Sequence, residues 1–269
     1  MKKILLLALV VMSFLACSKK EAPIESSDNK TDKKIKIVTT LFPTYDFSKE
    51  IGKDKVEVKL ILPPGIEPHS YDPTPKDIAG INSSDIFIYT GDNMEPWVAK
   101  VLNSLDNKNL KIIDVSQGIT LLEEKEDHDH EAHEEHEDGH EHTGKDPHIW
   151  TDPILAKTIV ENIYNGLIEK DSINKDFYTS NKVEYIKKLD DLDSKFKDLA
   201  LHSKTKEIIS GGHFVFGYPF KRYGFEYHSV YDGFSPNAEP TPKQMKQLRD
   251  TIKETNAKYV YYEELIDPK

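Results

Sequence analysis

Histidines are the residues whose number and spacing point most clearly to chemistry in this chain. Six of the eleven lie in one acidic run, at His128, His130, His133, His136, His140 and His142. Neutral imidazole is the commonest protein ligand for zinc and its neighbours. The run has almost no apolar side chain to bury, so it cannot pack a core. Its short, irregular spacing indicates a loop that collects metal ions weakly, with a solvated acidic linker as the alternative.

Three further histidines share a different setting. His69, His148 and His213 each lie in a loop that contains Pro or Gly, and His69 and His213 closely follow predicted strands. A single loop histidine is more often a solvated or capping residue than a ligand, but the common context favours metal binding. In open α/β sheets, ligands bind beyond the carboxyl ends of the strands. Two facing lobes are therefore expected to bring the three rings together.

Three imidazoles leave one position open on a tetrahedral ion. Glu67, a water molecule or a carboxylate from elsewhere is the candidate for that position. An all-nitrogen ligand set favours Zn²⁺, whereas Mn²⁺ prefers more oxygen. Glu239 precedes a proline at a predicted helix start, so it either orients a ligand through a hydrogen bond or supplies a helix N-terminal charge.

Composition narrows the class of partner. The chain has 269 residues, 37% hydrophobic and 31% charged, with a formal net charge of -11. This length allows two modest α/β lobes or one large one. A strongly acidic protein lacks the basic face that nucleic acid requires, and its charge suits a cationic ligand.

The first residues have the features of an export signal. Lys2 and Lys3 precede an apolar run over residues 4–12, which is too short for a membrane span. Residues 13–17 resemble the bacterial lipobox, which predicts a signal peptide with lipobox over residues 1–17 that is cut after Ala16, and lipid on Cys17, the only cysteine. The alternative is a plain secretory signal with a stray cysteine. Residues 18–34 are polar and are predicted to form a flexible tether.

The elements that must position the histidines alternate between strand and helix. Strands are predicted at residues 35–40, 56–61, 85–89, 110–115, 207–210, 226–230 and 258–262. Helices are predicted at residues 43–51, 75–81, 95–105, 153–168, 176–202, 214–223 and 242–255. This order predicts an α/β protein with two lobes, each a mostly parallel sheet flanked by helices. One long helix, with a core-facing stripe from Val183 to Leu199, is expected to join them.

The predicted domains follow from these elements. The N-terminal lobe covers residues 35–122, the His- and acid-rich loop 123–145, and the second ligand loop with its helix 146–175. The linker helix covers residues 176–202 and the C-terminal lobe 203–269, which is expected to be incomplete at its C-terminus.

Four motifs together resemble the metal-binding lipoproteins of ABC importers, and most closely the high-affinity zinc uptake substrate-binding proteins. They are residues 67–75 (EPHSYDPTP), 146–153 (DPHIWTDP), 212–224 and 233–242 (GFSPNAEPTP). The zinc binders of this family carry a His- and acid-rich loop just before the second ligand motif, as here. The resemblance implies two lobes with the metal in the cleft between them, and His69, His148 and His213 as ligands. It also implies a membrane permease and a cytoplasmic ATPase as partners.

The predicted function is capture of Zn²⁺ outside the cytoplasm by a lipid-anchored monomer that delivers the ion to an importer. A manganese-binding homologue and a metal-buffering or adhesive surface lipoprotein are the alternatives. A zinc hydrolase also uses three histidines and an open position. No HExxH-type helix pairs a base with His69, His148 or His213, although Glu67 is a candidate base, so we expect no enzyme.

Overall fold

The computed structural model describes residues 33–123, 144–230 and 240–262. Contacts divide the chain into Met1–Lys33 and Lys34–Lys269, and the fold below is that of the second unit. Within the described residues, none of the helices combines the length and the apolar character that crossing a membrane requires.

The observed elements follow the predicted alternation. The strands are β1 (Ile35–Thr39), β2 (Val56–Leu60), β3 (Ile86–Tyr89), β4 (Lys111–Asp114), β5 (Glu207–Ser210) and β6 (Glu226–Ser229). The helices are α1 (Phe42–Gly52), α2 (Pro75–Asn82), α3 (Val98–Leu102), α4 (Pro153–Lys170), α5 (Lys175–His202), α6 (Gly217–Tyr223) and α7 (Pro242–Glu254). Short 3-10 turns occupy Lys53–Lys55, Pro68–Ser70, Ile149–Thr151 and Ser172–Asn174.

The first four strands form one parallel sheet in the order β2-β1-β3-β4. The chain therefore leaves β1 in one direction to reach β2 and returns past it to reach β3. Loops at the carboxyl ends of β1 and β3 separate at this point, which is where open α/β sheets form their ligand crevice. His69 follows β2 at the same edge.

Apolar residues on the two faces of this sheet build two cores, because successive strand side chains point to opposite faces. Ile37, Ile88 and Ile113 pack with α1, α4 and α5 on one face. Val38 and Phe87 pack with α2 and α3 on the other. The sheet is thus covered by helices on both sides, as parallel sheets require.

The second lobe contains the parallel pair β5-β6 and helix α7. Ile209, Val230 and Leu248 form its buried core, with Ile252 packed against it. The strand predicted at residues 258–262 is observed only as one parallel bridge, between Ser210 and Tyr261. That prediction was wrong in extent because only this residue pair meets the ladder geometry.

The long helix is confirmed, and its predicted core-facing stripe is correct in part. Leu189 is buried in the main core and Ile186 packs against it, whereas Val183 is 61% and Leu199 is 54% exposed. The other buried residues of the helix are Tyr178 and Asp193. The buried face therefore includes polar positions that a count of apolar residues does not detect.

Two other helices are shorter than predicted. The helix expected from residue 95 begins at Val98, because the Glu95 carboxylate turns back to accept hydrogen bonds from the backbone N–H groups of Thr90 and Gly91. The helix expected from residue 214 begins at Gly217. Phe214 instead stacks on Tyr227 of β6, with ring centroids 3.8 Å apart.

Candidate metal site

His69 is presented by a braced turn after β2. It lies in the 3-10 turn Pro68–Ser70, and the Glu67 side chain caps this turn by accepting a hydrogen bond from the His69 backbone N–H at 3.2 Å. Tyr71 then donates its hydroxyl to Asp77 of α2 at 2.9 Å. The turn is therefore held at both ends, which limits where the His69 ring can point.

His148 is the most buried of the three histidines, at 2% exposure. One oxygen of Asp146 accepts both the His148 backbone N–H, at 2.9 Å, and the ring Nδ1–H, at 2.7 Å. The 3-10 turn Ile149–Thr151 follows, and Asp152 caps the start of α4. Because Nδ1 donates to a carboxylate, the lone pair of this ring lies on Nε2.

His213 comes from the second lobe, in the loop between β5 and α6. The carbonyl of the preceding Gly212 accepts hydrogen bonds from the hydroxyls of Ser210, at 3.1 Å, and Ser229, at 3.2 Å. These bonds come from the ends of both strands of the small sheet. They fix the turn from which the His213 ring projects.

The three rings converge, as the sequence predicted. One ligand nitrogen from each of His69, His148 and His213 lies within 4.8 Å of the other two. The Nε2 atoms of His69 and His148 are 3.3 Å apart, and ring centroids are separated by 5.3, 6.0 and 4.9 Å. Zinc–nitrogen bonds of 2.0–2.1 Å place two ligands of a tetrahedral ion roughly 3.3 Å apart. The spacing of the first pair therefore matches a shared zinc ion.

Glu67 lies beside this cluster but does not join it. Among the described residues, the group able to hold a metal consists of the three histidines. Burial raises the pKa of the Glu67 carboxyl, while the hydrogen bond from His69 N–H and the nearby His148 act in the opposite direction. Glu67 thus shapes the His69 turn in this structure.

Asp146 is a residue that the sequence reasoning did not single out. It is fully buried, and it makes its bonds to the imidazole two residues further on. A signal was present in the motif Asp146-Pro147-His148, because the proline fixes the backbone between a carboxylate and a ring. The two-residue spacing in the sequence did not reveal that both side chains are buried.

Several predicted site residues lie outside the described part of the chain. They are Cys17, Glu239 and the histidines of the acidic run at positions 128, 130, 133, 136, 140 and 142. The two ends of that run are described: Glu123 and Lys145 form an antiparallel bridge, and Asp146 N–H donates to the Leu122 carbonyl at 2.8 Å. The run is therefore inserted directly before the His148 loop.

Residues 37–269 match the family model described as ZnuA, the periplasmic component A of a zinc-uptake complex. The chain belongs to this family. The match includes all three converging histidines and both lobes.

Individual relatives agree. The high-affinity zinc uptake system protein ZnuA of Bacillus subtilis (strain 168) is 40% identical over 244 residues, which are 91% of this chain and 75% of that protein. The zinc-binding lipoprotein AdcA of Streptococcus pneumoniae (strain R6) is 36% identical over 270 residues, 98% of this chain but 51% of AdcA. The crystal structure of the Zn(II)-bound ZnuA-like domain of S. pneumoniae AdcA has a TM-score of 0.70 and 33% identity, covering 86% of this chain and 79% of that chain.

Family membership confirms the main functional predictions. The chain is an extracytoplasmic, zinc-binding component of an uptake system and not an enzyme. The two-lobe α/β fold with a long helix is that of its relatives. Such a component works with an ABC importer, so a permease and an ATPase are the partners that the family implies.

Proposed function

We propose that this protein captures Zn²⁺ with His69, His148 and His213 and delivers the ion to the permease and ATPase of an ABC importer. The observation that carries the proposal is the convergence of three ligand nitrogens, from loops far apart in sequence, within 4.8 Å of one another. Three neutral imidazoles suit zinc better than manganese, which prefers oxygen ligands.

The burial of the cluster supports both retention and exchange of the ion. His148 is buried, whereas His69 and His213 keep part of their surface exposed. Solvent therefore has access to the ion from one side. We propose that a water molecule or Glu67 completes the coordination from that side, since Glu67 lies in the His69 loop, two residues before the ring, and is half-buried.

The test is zinc titration of the mature chain by competition with a chromophoric chelator. We expect His69→Ala, His148→Ala and His213→Ala each to weaken zinc binding by at least roughly 100-fold, or about 2.8 kcal/mol. His202→Ala is the matched control, because that ring lies exposed at the end of α5 beside Asp198. Unchanged affinity in any of the three variants would remove that residue from the site. Mn²⁺ binding tighter than Zn²⁺ would favour the manganese alternative.

We also propose that the acidic histidine run collects metal ions for this site through His128, His130, His133, His136, His140 and His142. Because Glu123 and Lys145 are bridged neighbours, residues 124–143 can be replaced by a short glycine linker. We expect this variant to bind fewer zinc ions in total and to keep the tightest one. Loss of the tightest ion would show that the run belongs to the primary site.

The predicted export signal extends the proposal to the location of the protein. We propose that Cys17 carries a lipid anchor and that the protein acts as a monomer at the membrane surface. At the metal site, we propose that Glu239 supports a ligand by hydrogen bonding. Cys17→Ala should release the protein from the membrane fraction while zinc affinity of the mature domain stays the same. Retention of this variant in the membrane would contradict the anchor.

A further inference from the structure

We infer that Asp146 is a positioning residue of the zinc site, which holds His148 in the tautomer that presents Nε2 to the ion. This inference rests on the proposed function. It assigns a specific role to a buried carboxylate that pairs with one member of the histidine cluster, His148.

The bonding at Asp146 allows only one arrangement of the His148 ring. Oδ1 lies 2.7 Å from Nδ1 and 2.9 Å from the His148 backbone nitrogen. An ionised carboxylate has no proton to give, so the ring proton must lie on Nδ1. Rotating the ring by half a turn would place a carbon against Oδ1 and break the bond. Hydrogen bonds of this kind fix the orientation of metal-ligating histidines and raise their basicity.

The charge of Asp146 also supports its role at the zinc site. Asp146 is 0% and His148 is 2% exposed, and the Asp146 carboxylate accepts its side-chain hydrogen bond from this imidazole rather than from a lysine or arginine. Three neutral imidazoles leave the full charge of Zn²⁺ uncompensated. A carboxylate one ring away from the ion offsets part of that charge in a setting that screens it weakly.

The second lobe holds Asp146 in place. The Tyr218 hydroxyl of α6 donates to the Asp146 carbonyl at 2.5 Å and accepts from Leu122 N–H at 3.1 Å. Gly217 lies against the carboxylate so closely that a Cβ there would be 2.7 Å from Oδ2. Tyr218 therefore holds the backbone of Asp146, and the missing side chain of Gly217 leaves room for its carboxylate beside α6.

The first experiment measures zinc affinity in Asp146→Asn, which keeps the side-chain volume and removes the charge. We expect affinity to fall 10- to 100-fold, the range seen when such partners of metal-binding histidines are changed. Asp171→Asn is the control. Asp171 also accepts hydrogen bonds from side chains, those of Tyr178 at 2.6 Å and Asn174 at 2.7 Å, and neither partner belongs to the histidine cluster. We expect this control to change zinc affinity less than about threefold, since its bonds stabilise the fold rather than a ligand.

A double-mutant cycle separates positioning from a general structural role. If Asp146 acts through His148, Asp146→Asn should change zinc affinity less than about threefold when His148→Ala is already present. An undiminished effect in that background would overturn the inference. If His148→Ala alone leaves zinc affinity unchanged, the proposed metal site fails instead, so the two failures are distinguishable.

The tautomer itself provides a readout that needs no metal. In the metal-free protein, ¹⁵N ring shifts should show His148 protonated at Nδ1. Asp146→Asn should shift the ring towards a mixture of tautomers, and Asp171→Asn should not. Identical His148 ring shifts in the wild type and in Asp146→Asn would contradict the inference, whatever the zinc affinities are.

Discussion

Glu95 shows what this fold does to a single carboxylate away from the metal site. Its side chain is 1% exposed at the crevice where β1 and β3 end. It accepts hydrogen bonds from the Thr40 hydroxyl and from the backbone N–H groups of Thr90 and Gly91. Burial raises the pKa of Glu95 from 4.5 to about 7, although these bonds act to lower it. The group therefore gains a proton close to neutral pH.

This shift makes the stability of the protein depend on pH. Between pH 4.5 and about 7 the folded protein binds the Glu95 proton more tightly than the unfolded chain does. The stabilisation is complete below the lower value and is lost as pH rises through the upper one. Glu95→Gln mimics the protonated side chain. We expect its unfolding free energy, relative to the wild type, to rise by on the order of 3 kcal/mol between pH 5 and 8, measured by urea denaturation.

Glu50→Gln is the control for this pH profile. A hydrogen bond from Lys188 lowers the pKa of Glu50, so its contribution to stability is lost only on acidification below its usual value of 4.5. The difference between this variant and the wild type should stay flat from pH 5 to 8. A flat difference for Glu95→Gln as well would show that Glu95 is ionised when buried.

The role of an individual residue was predictable from the sequence only where its neighbours in the chain indicated it. His69, His148 and His213 stand in proline- or glycine-containing motifs, and their convergence was predicted. The partners of Asp146 and Glu95 could not be predicted in the same way. Their importance depends on complete burial, and burial is set by helices that pack from distant parts of the chain.

At the scale of elements, the packing of α4 on the first sheet depends on one glycine. A Cβ at Gly166 would lie 2.1 Å from Cδ1 and 2.9 Å from Cγ1 of Ile113 in β4. This glycine lets the helix approach the strand closely. Elsewhere in a helix, alanine is favoured over glycine by about 1 kcal/mol.

We expect Gly166→Ala to lower the unfolding free energy by about 1–3 kcal/mol, because overpacking outweighs the gain in helix propensity. Gly80→Ala in α2 is the matched control. Its nearest neighbour is the Lys59 Nζ at 3.3 Å, the end of a flexible, half-exposed side chain. That variant should gain up to about 1 kcal/mol. Equal effects of the two substitutions on the denaturation midpoint would contradict the close helix–strand contact.

The order of elements was predictable, and their faces and ends were predictable only in part. Alternating strand and helix patterns gave the parallel sheet because each pattern is local. The buried face of α5 includes Asp193, whose carboxylate accepts the Tyr223 hydroxyl at 2.8 Å. The spacing of apolar residues cannot predict that a polar residue lies on the buried side of a helix. The start of α3 was likewise decided by the hydrogen bonds of Glu95 rather than by propensity.

At the scale of the whole molecule, α6 connects the second lobe to the rest of the structure. Arg222 pairs with the buried Asp152 at the start of α4, with Nε 2.5 Å from Oδ2. Tyr223 stacks on Phe196 of α5, with ring centroids 5.0 Å apart. His213 lies just before this helix, so the second lobe brings its ligand to His69 and His148 through a short, well-anchored element.

The two lobes nevertheless differ in the amount of core that supports them. Within the described residues, the larger core on the first sheet contains 18 buried side chains, one of which is Tyr218 of α6, and the core around β5 and β6 contains three. Elements with few buried apolar contacts open at lower free energy than the global transition. In the metal-free protein, amides of β5 and β6 should therefore exchange with solvent faster than those of β1 and β3.

Zinc should reduce this difference in amide exchange rate, because opening the second lobe removes His213 from the ion. A ligand at 1,000 times its dissociation constant stabilises the binding-competent state by about 4 kcal/mol. Hydrogen exchange followed by mass spectrometry should show β5 and β6 slowed by up to roughly 1,000-fold, and β1 and β3 much less. In His213→Ala, zinc should leave β5 and β6 unprotected, because the remaining ligands, His69 and His148, lie outside the second lobe. Equal slowing in this variant and in the wild type would mean that the ion does not join the two lobes through His213.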